Sequence, residues 1–154
     1  MQPVPNGLLR DKDMEESLTG FLSEMDAYRK ENRHGITTSM WLEAADGHVY
    51  VRIGDRFFAG DQQTYVTISN IDVWKDYRRQ GRFRRIMALA ETWAAAQGYG
   101  VLIENVMNGS ITAMYRGDPH WVEWMNHGSL SLVISPSSLQ NKIKEQAPCQ
   151  SPQA

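Results

Sequence analysis

Residues 71–117 constrain the fold of this chain more than any other segment, because they combine predicted strands and helices with a strongly basic turn. Six basic residues fall within residues 75–85. Three of them, Arg82, Arg84 and Arg85, lie in the first turns of a predicted helix. Cations are disfavoured there, because the amino end of a helix already carries a partial positive charge. The unpaired N–H groups of a helix start suit phosphate, so this turn predicts an anion site. The alternative is a solvated basic surface.

The composition predicts one globular domain rather than a binder of polyanions over its whole surface. The 154 residues are 42% hydrophobic and 22% charged, with a net charge of −2. No stretch approaches the roughly 18 apolar residues that a membrane-spanning helix needs. Residues 1–10 also lack the apolar core of a signal peptide. The single cysteine, Cys149, excludes an internal disulfide, and we expect a reducing, cytoplasmic location.

Local signals in the first half predict one helix and three strands. Residues 1–12 are expected to be a flexible lead. Asp13 is placed to cap the helix, and Glu16 completes a capping box. Strands are expected over residues 40–44, 48–53 and 65–74, with a hairpin turn at Asp46 and Gly47 and a connection at Gly54 and Asp55. The alternation of the third strand is interrupted near Ser69 and Asn70, which predicts a bulge.

The second half completes an α/β pattern. The expected elements are a helix over residues 81–97, a strand over 101–107, a short helix over 110–116 and a hairpin with strands over 120–125 and 130–134. Gly98 fits the end of the central helix. The strand that follows is nearly continuous in apolar residues, which indicates a central or parallel position in a sheet. Residues 136–154 are rich in Ser, Pro and Gln and are predicted to be disordered, which bounds the domain at residues 13–135.

With these elements in place, residues 73–83 resemble the coenzyme-binding motif of the GCN5-related N-acetyltransferase (GNAT) superfamily. The residues that fit the motif are Val73, Tyr77, Arg78, Gln80 and Gly81. Lys75 and Phe83 stand where this family usually has a proline and a small residue. The resemblance implies a single GNAT-like acyl-CoA N-acyltransferase fold, in which helices flank a mixed, mostly antiparallel sheet.

A second match lies downstream of the motif. The family often has an asparagine after its fifth strand and a tyrosine seven residues later, and Asn108 and Tyr115 stand in those positions. Residues 104–108 resemble small, phage-type members of the superfamily. The resemblance covers about residues 41–134, which is most of the chain that is expected to be ordered.

The resemblance implies that acetyl-CoA binds as a co-substrate. Backbone groups of Ile71 and Val73 would contact its pantetheine arm. The residues implied to surround the pyrophosphate are Arg78, Arg79, Gln80, Gly81, Arg82, Phe83 and Arg84. Gly81 has no Cβ and lets the backbone approach closely, while arginines add charge-assisted bonds. Asn108 would either bond to the coenzyme or cap the short helix.

The implied reaction is direct attack of an amine on a thioester, which needs a base and a proton donor. Tyr115 is implied as the donor to the thiolate, and the alternative is a half-buried packing role. Ser69 stands at the family's usual glutamate position, so the base must lie elsewhere. Glu104 is the candidate base, ahead of Asp72, and a water chain is a further alternative.

Two further groups of residues bear on function. The four histidines show no metal-ligand spacing, so no metal site is predicted. His120, Trp121 and Trp124 would either line an acceptor pocket or pack the last hairpin, and packing is the expectation.

The sequence therefore favours an N-acetyltransferase whose acceptor amine belongs to a small molecule, a protein or an aminoacyl-tRNA. The alternative is a non-catalytic GNAT-fold module that binds a protein, with CoA bound structurally. A nucleic-acid binder that uses residues 75–85 is a third possibility, which the net charge of −2 disfavours.

Overall fold

The structure, a computed structural model, describes residues 12–32, 37–58, 60–104, 109–126 and 128–146. The helices are α1 (Met14–Glu31), α2 (Arg82–Gln97), α3 (Gly109–Arg116) and α4 (Pro136–Gln146). The strands are β1 (Thr38–Ala44), β2 (Gly47–Phe58), β3 (Asp61–Val73), β4 (Gly100–Ile103), β5 (Val122–Asn126) and β6 (Ser129–Ile134). A 3-10 turn covers Lys75–Tyr77. Up to β6, the order of helices and strands is the predicted order.

The six strands form one sheet in the order β1-β2-β3-β4-β6-β5. β3 and β4 pair in parallel, over residues 65–68 and 100–103. The other neighbouring strands pair antiparallel. β3 continues beyond the parallel ladder to Val73, whereas β4 ends at Ile103. The predicted mixed, mostly antiparallel sheet is confirmed, and within the described residues the parallel ladder covers only residues 65–68 of β3.

The two faces of the sheet are covered differently. One face packs against all four helices in a single core, which includes Leu18, Leu42, Val51, Ile86, Tyr115 and Leu139. The other face carries a smaller cluster of Tyr65, Leu102 and Val133, with Phe58 packed against it. Within the described ranges, no helix residue belongs to this second cluster. We call this second face the open face.

Local signals set several element boundaries as predicted. The Asp13 carboxylate accepts the Glu16 N–H at 2.9 Å at the start of α1. β1 and β2 meet in the expected hairpin. The register of β2 and β3 slips at Ser69, where a bulge was expected. Gly98 ends α2 with a left-handed φ of 78°.

β2 is longer than predicted, because it continues through Gly54 and Asp55 to Phe58. A Cβ on Gly54 would lie 2.4 Å from the Thr37 Oγ1. The glycine therefore allows a neighbouring segment to approach closely and does not form a turn. The prediction of a connection at this point is wrong. β4 is described only to Ile103, and residues 105–108 lie outside the described residues.

The prediction of disorder from residue 136 is wrong for its first eleven residues, which form α4. Pro136 occupies the first helical position, where its missing N–H costs nothing. Leu139 is fully buried in the core. Lys142 is also buried and lies 2.8 Å from Glu91 and 2.9 Å from Asp118. The polar composition concealed this helix, although Leu139, the partly buried Ile143 and the ion-paired Lys142 hold it against the core.

Asp46 joins three elements at the hairpin turn. Its side chain is 1% exposed and accepts the Met14 N–H at 2.9 Å, the first of α1. The same carboxylate lies 2.7 Å from the guanidinium of Arg82, the first residue of α2. Its backbone carbonyl accepts the Trp74 N–H at 2.8 Å just after β3. One buried carboxylate thus fixes where α1 and α2 begin relative to the sheet.

Replacing this carboxylate should destabilise the protein strongly. We expect Asp46→Ala to lower the free energy of unfolding in urea by about 3 kcal/mol, because it leaves Arg82 and a helix N–H without their buried acceptor. The matched control is Asp55→Ala, which removes an exposed carboxylate from β2. It should cost less than about 1 kcal/mol. Equal losses in the two variants would contradict the role of Asp46.

Truncation of the buried Leu139 side chain tests whether α4 packs against the core. Leu139→Ala should lower the free energy of unfolding by about 3 kcal/mol, because it opens a cavity in the core. Asn141→Ala, at an exposed position of the same helix, should change it by less than about 0.5 kcal/mol. A negligible loss for Leu139→Ala would show that residues beyond 135 do not pack.

Candidate active site

A cavity of about 640 Å³ lies where β3 runs past the end of the parallel ladder. Its lining comes from the end of β3, the basic turn, the start of α2 and one side of α3. The lining residues are Ile71, Asp72, Val73, Tyr77, Arg78, Arg79, Gly81, Arg82, Phe83, Arg84, Ile111 and Met114. We call this the first cavity. It gathers eight of the ten residues that the resemblance assigned to coenzyme binding. Gln80 stands outside the lining, and Asn108 lies outside the described residues.

Gly81 forms the amino end of α2 with a left-handed φ of 72°. Glycine adopts this conformation without strain, and a Cβ here would lie 3.1 Å from a guanidinium nitrogen of Arg85. The Arg85 N–H donates to the Gly81 carbonyl at 3.1 Å and begins the helical ladder. The N–H groups of residues 82–84 precede it and have no acceptor within the helix. They lie at the first cavity and are suited to an anion.

Three arginines of the turn form ion pairs with carboxylates of the same chain. Arg78 donates to the Val73 carbonyl at 2.7 Å and pairs with Asp72 at 3.2 Å. Arg85 pairs with Glu15 at 2.6 Å. Arg82, which pairs with Asp46 as described above, also places its guanidinium 4.9 Å from the centre of the Tyr77 ring. These ion pairs fix the shape of the turn. Part of the positive charge of the turn is therefore neutralised within the protein and is not available to a bound anion.

Arg79 and Arg84 are the lining arginines that have no ion pair with any residue in the described ranges. Arg79 adopts a left-handed φ of 63°, which is uncommon for a residue with a Cβ. Such backbone strain persists only where neighbouring contacts hold it, and it clusters at binding sites. With Gly81, it turns the backbone around Gln80, whose side-chain oxygen accepts a bond from Arg82 at 3.3 Å.

Tyr115 lies on α3 one residue after the lining residue Met114, but it is not part of the lining. Its ring is buried, 4.5 Å from the ring of Trp121 and 5.9 Å from the Lys142 ammonium. Burial raises the pKa of the Tyr115 phenol well above its usual range, and Glu91 and Asp118 add to the shift while Arg84 opposes it. The phenol therefore keeps its proton at any physiological pH, and it lies outside the lining of the first cavity.

Glu104 belongs to the open face. Its two carboxylate oxygens accept bonds from Arg52 and Arg56, each at 2.5 Å. The bulged Ser69 donates to the same carboxylate at 3.2 Å. Glu104 thus meets the residue that stands at the family's usual base position. It lines a second cavity of about 290 Å³, which is separate from the lining of the first.

The structure therefore does not gather the two predicted catalytic residues, Glu104 and Tyr115, in one cavity. Asp72, the less favoured base, does line the first cavity, but it pairs with Arg78. Sequence reasoning missed Arg52 and Arg56, the partners of Glu104. Their spacing of four on an alternating strand places them on one face and was an available signal.

Two further features are absent from the described residues. No group of three His, Cys, Asp or Glu side chains is arranged to hold a metal ion in those ranges. None of the helices that the structure describes is long and apolar enough to cross a membrane.

The fold resembles that of solved acetyltransferases, although no family model and no curated protein matches the sequence. A complex of KacTA with DNA aligns with a TM-score of 0.53 and 18% identity, over 84% of this chain and 86% of that chain. A mutant AtaT toxin, bound to the C-terminus of the antitoxin AtaR and acetyl-CoA, aligns with a TM-score of 0.53 and 13% identity, over 91% and 94%. AtaT complexed with acetyl-methionyl-tRNAfMet gives 0.53 and 13%, over 86% and 93%. The chain therefore has the fold of the GCN5-related N-acetyltransferases.

Proposed function

We propose that this chain is an N-acetyltransferase that uses acetyl-CoA to acetylate a primary amine. The observation that carries the proposal is the start of α2, where Gly81 in a left-handed conformation brings free N–H groups to the first cavity. The AtaT structure with acetyl-CoA supports the same coenzyme for this fold.

In this proposal, the parts of acetyl-CoA would follow one another along the lining of the first cavity. The pyrophosphate would lie at the start of α2, against Gly81 and the N–H groups of residues 82–84, with Arg79 and Arg84 as the cationic partners. The pantetheine arm would follow the backbone of Ile71 and Val73 at the end of β3. Asn108 remains a proposed ligand of the coenzyme. When bound, acetyl-CoA would supply an acetyl group activated as a thioester.

The acceptor nitrogen would form a bond to the acetyl carbon, and the carbon–sulfur bond would break. The nitrogen loses one proton, and the departing thiolate gains one, so the products are an N-acetyl amide and CoA. We propose Glu104, beside Ser69, as the acceptor of the first proton and Tyr115 as the donor of the second. The raised pKa of Tyr115 keeps its proton in place. Because Tyr115 lies behind the lining, an intervening water or a shift of α3 would complete the transfer.

A second candidate function is a coenzyme-binding module without turnover. The observation that favours it is the pairing of both Glu104 oxygens with Arg52 and Arg56. Of the two oxygens, one already accepts bonds from Arg52 and Ser69, so only the oxygen that accepts from Arg56 has a site left for a proton from an amine. Coenzyme binding without acetylation of any amine would support this candidate.

Acetyl-CoA should stabilise the folded chain. At about 100 times its Kd we expect roughly 2.7 kcal/mol of added stability, which raises the melting temperature by about 5–10 °C. Gly81→Glu should abolish the shift, because it strains the turn and places a carboxylate where phosphate binds. Gly98→Glu is the matched control, since Gly98 has a similar φ of 78° at the other end of α2. Its variant should keep the shift, and a shift that survives Gly81→Glu would overturn the phosphate site.

Removal of the Tyr115 hydroxyl should affect the chemistry but not the binding. We expect Tyr115→Phe to lower kcat by about 100-fold with a nearly unchanged Kd for acetyl-CoA, because the ring packing is kept. Tyr28→Phe, at an exposed position of α1, should leave both constants unchanged. Full activity in Tyr115→Phe would remove this residue from the reaction.

A further inference from the structure

We infer that Lys142 is a positioning residue for Tyr115, the proposed proton donor, because its buried ammonium joins α2 and α4 to the turn that follows α3. The inference rests on the proposed acetyltransferase function and deepens it, since it adds a residue that acts through the proton donor. Lys142 belongs to α4, the helix that the sequence did not predict. It is not a lining residue of either cavity.

The Lys142 ammonium lies between two carboxylates from distant parts of the chain. It donates to Glu91 of α2 at 2.8 Å, and it lies 2.9 Å from Asp118, two residues after the end of α3. Lys142 and Glu91 are both buried. Burial lowers the pKa of Lys142, but the bonds to Glu91 and Asp118 outweigh this effect and hold that pKa above its usual value. The ammonium therefore stays charged at physiological pH and links three segments.

Tyr115 is tied to this ammonium through both its backbone and its ring. The Asp118 N–H donates to the Tyr115 carbonyl at 3.0 Å, so the residue that pairs with Lys142 also fixes the end of α3. The Tyr115 ring lies 4.5 Å from the ring of Trp121. The Trp121 indole N–H donates at 3.2 Å to the same Glu91 oxygen that accepts from Lys142. Both routes end at one buried ammonium.

The ammonium also affects the charge that develops during the proposed proton transfer. A phenol that gives its proton to the thiolate becomes negatively charged. Glu91 and Asp118 disfavour this charge, since both add to the raised pKa of Tyr115 that burial causes. The Lys142 ammonium, 5.9 Å from the centre of the Tyr115 ring, partly offsets the two carboxylates. Its removal would leave the phenolate beside two uncompensated negative charges and would slow the transfer.

Other contacts hold α4 when the ammonium is removed. Leu139 is fully buried in the core. The Gln140 side chain donates to the Ala95 carbonyl of α2 at 2.5 Å. The His120 ring and the Glu145 carboxylate lie 2.8 Å apart. A change at position 142 should therefore disturb Tyr115 before it releases the helix.

The test is a double variant that removes the ion pair between α2 and α4. Lys142→Met alone would leave the buried Glu91 carboxylate without its cation and would destabilise the fold strongly. Glu91→Gln combined with Lys142→Met removes both charges and keeps an oxygen for the Trp121 indole. Lys144→Met, which removes an exposed lysine from the same helix, is the matched control. All chains carry 3-fluorotyrosine, and Tyr115→Phe identifies the fluorine resonance of Tyr115.

We expect the double variant to shift and broaden the Tyr115 fluorine resonance, because the ring and the backbone lose a fixed anchor. The kcat for the fastest of three amines, phenethylamine, lysinamide and glycinamide, should fall by about tenfold or more. The Kd for acetyl-CoA should stay nearly unchanged, because Asp46 rather than Lys142 fixes the start of α2. Lys144→Met should leave all three quantities at their wild-type values.

Restoration of the ammonium separates positioning from general stability. Lys142→Cys, in a Cys149→Ser background without the natural cysteine, is unfolded, aminoethylated at its thiol and refolded. The product replaces one methylene of the lysine side chain by sulfur. The fluorine resonance and kcat should return to the values of the unsubstituted chain taken through the same refolding. The unmodified thiol should restore neither.

The outcomes separate this inference from the proposed function. A Tyr115 resonance and a kcat that stay at wild-type values in the double variant would overturn the inference, as would a modified thiol that fails to restore them. Equal losses in Lys144→Met would also overturn it. If the unsubstituted chain acetylates none of the three amines, the proposed transferase fails, and the fluorine resonance alone decides whether Lys142 holds Tyr115.

Discussion

The buried carboxylate of Asp46 is the contact on which the candidate site depends. It sits in the turn between β1 and β2, yet it accepts bonds from the first residue of α1 and the first residue of α2. A carboxylate that is 1% exposed is stable only when such donors are in place. Because Arg82 is one of these donors, the pairing also fixes the start of α2. The position of Gly81, and with it the phosphate cradle that we propose, therefore follows from a contact in a distant hairpin.

The second constraint is the unequal length of the central strands. Within the described residues, β3 continues to Val73 beyond Ile68, its last residue paired with β4. The bulge at Ser69 directly follows that pair. Beyond that point β3 borders the first cavity on the helical side, while Glu104 faces the second cavity on the open side. Within the described residues, the helices cover only one face of the sheet.

The sequence predicted the structural features that depend on neighbouring residues in the chain. It missed the features that depend on contacts between distant residues. The Asp13 cap, the bulge at Ser69 and the glycines at both ends of α2 are local signals, and each appears at its expected place. Helix α4 was missed because its polar composition hides Leu139 and the paired Lys142, whose partners lie far away in the chain. The surroundings of Tyr115 and Glu104 were also missed, although the spacing of Arg52 and Arg56 already placed these two arginines on one face. These surroundings depend on Trp121, Arg52 and Arg56, which no motif connects to Tyr115 and Glu104.

The most direct test of the account is a titration of the isotope-labelled chain with acetyl-CoA, followed through the backbone amide resonances of residues 81–84. We expect these amides to shift strongly as their N–H groups gain phosphate acceptors, and we expect pantetheine, which lacks the pyrophosphate, to leave them nearly unchanged. Shifts concentrated at the second cavity, with residues 81–84 unaffected, would contradict the central claim that the start of α2 holds the coenzyme.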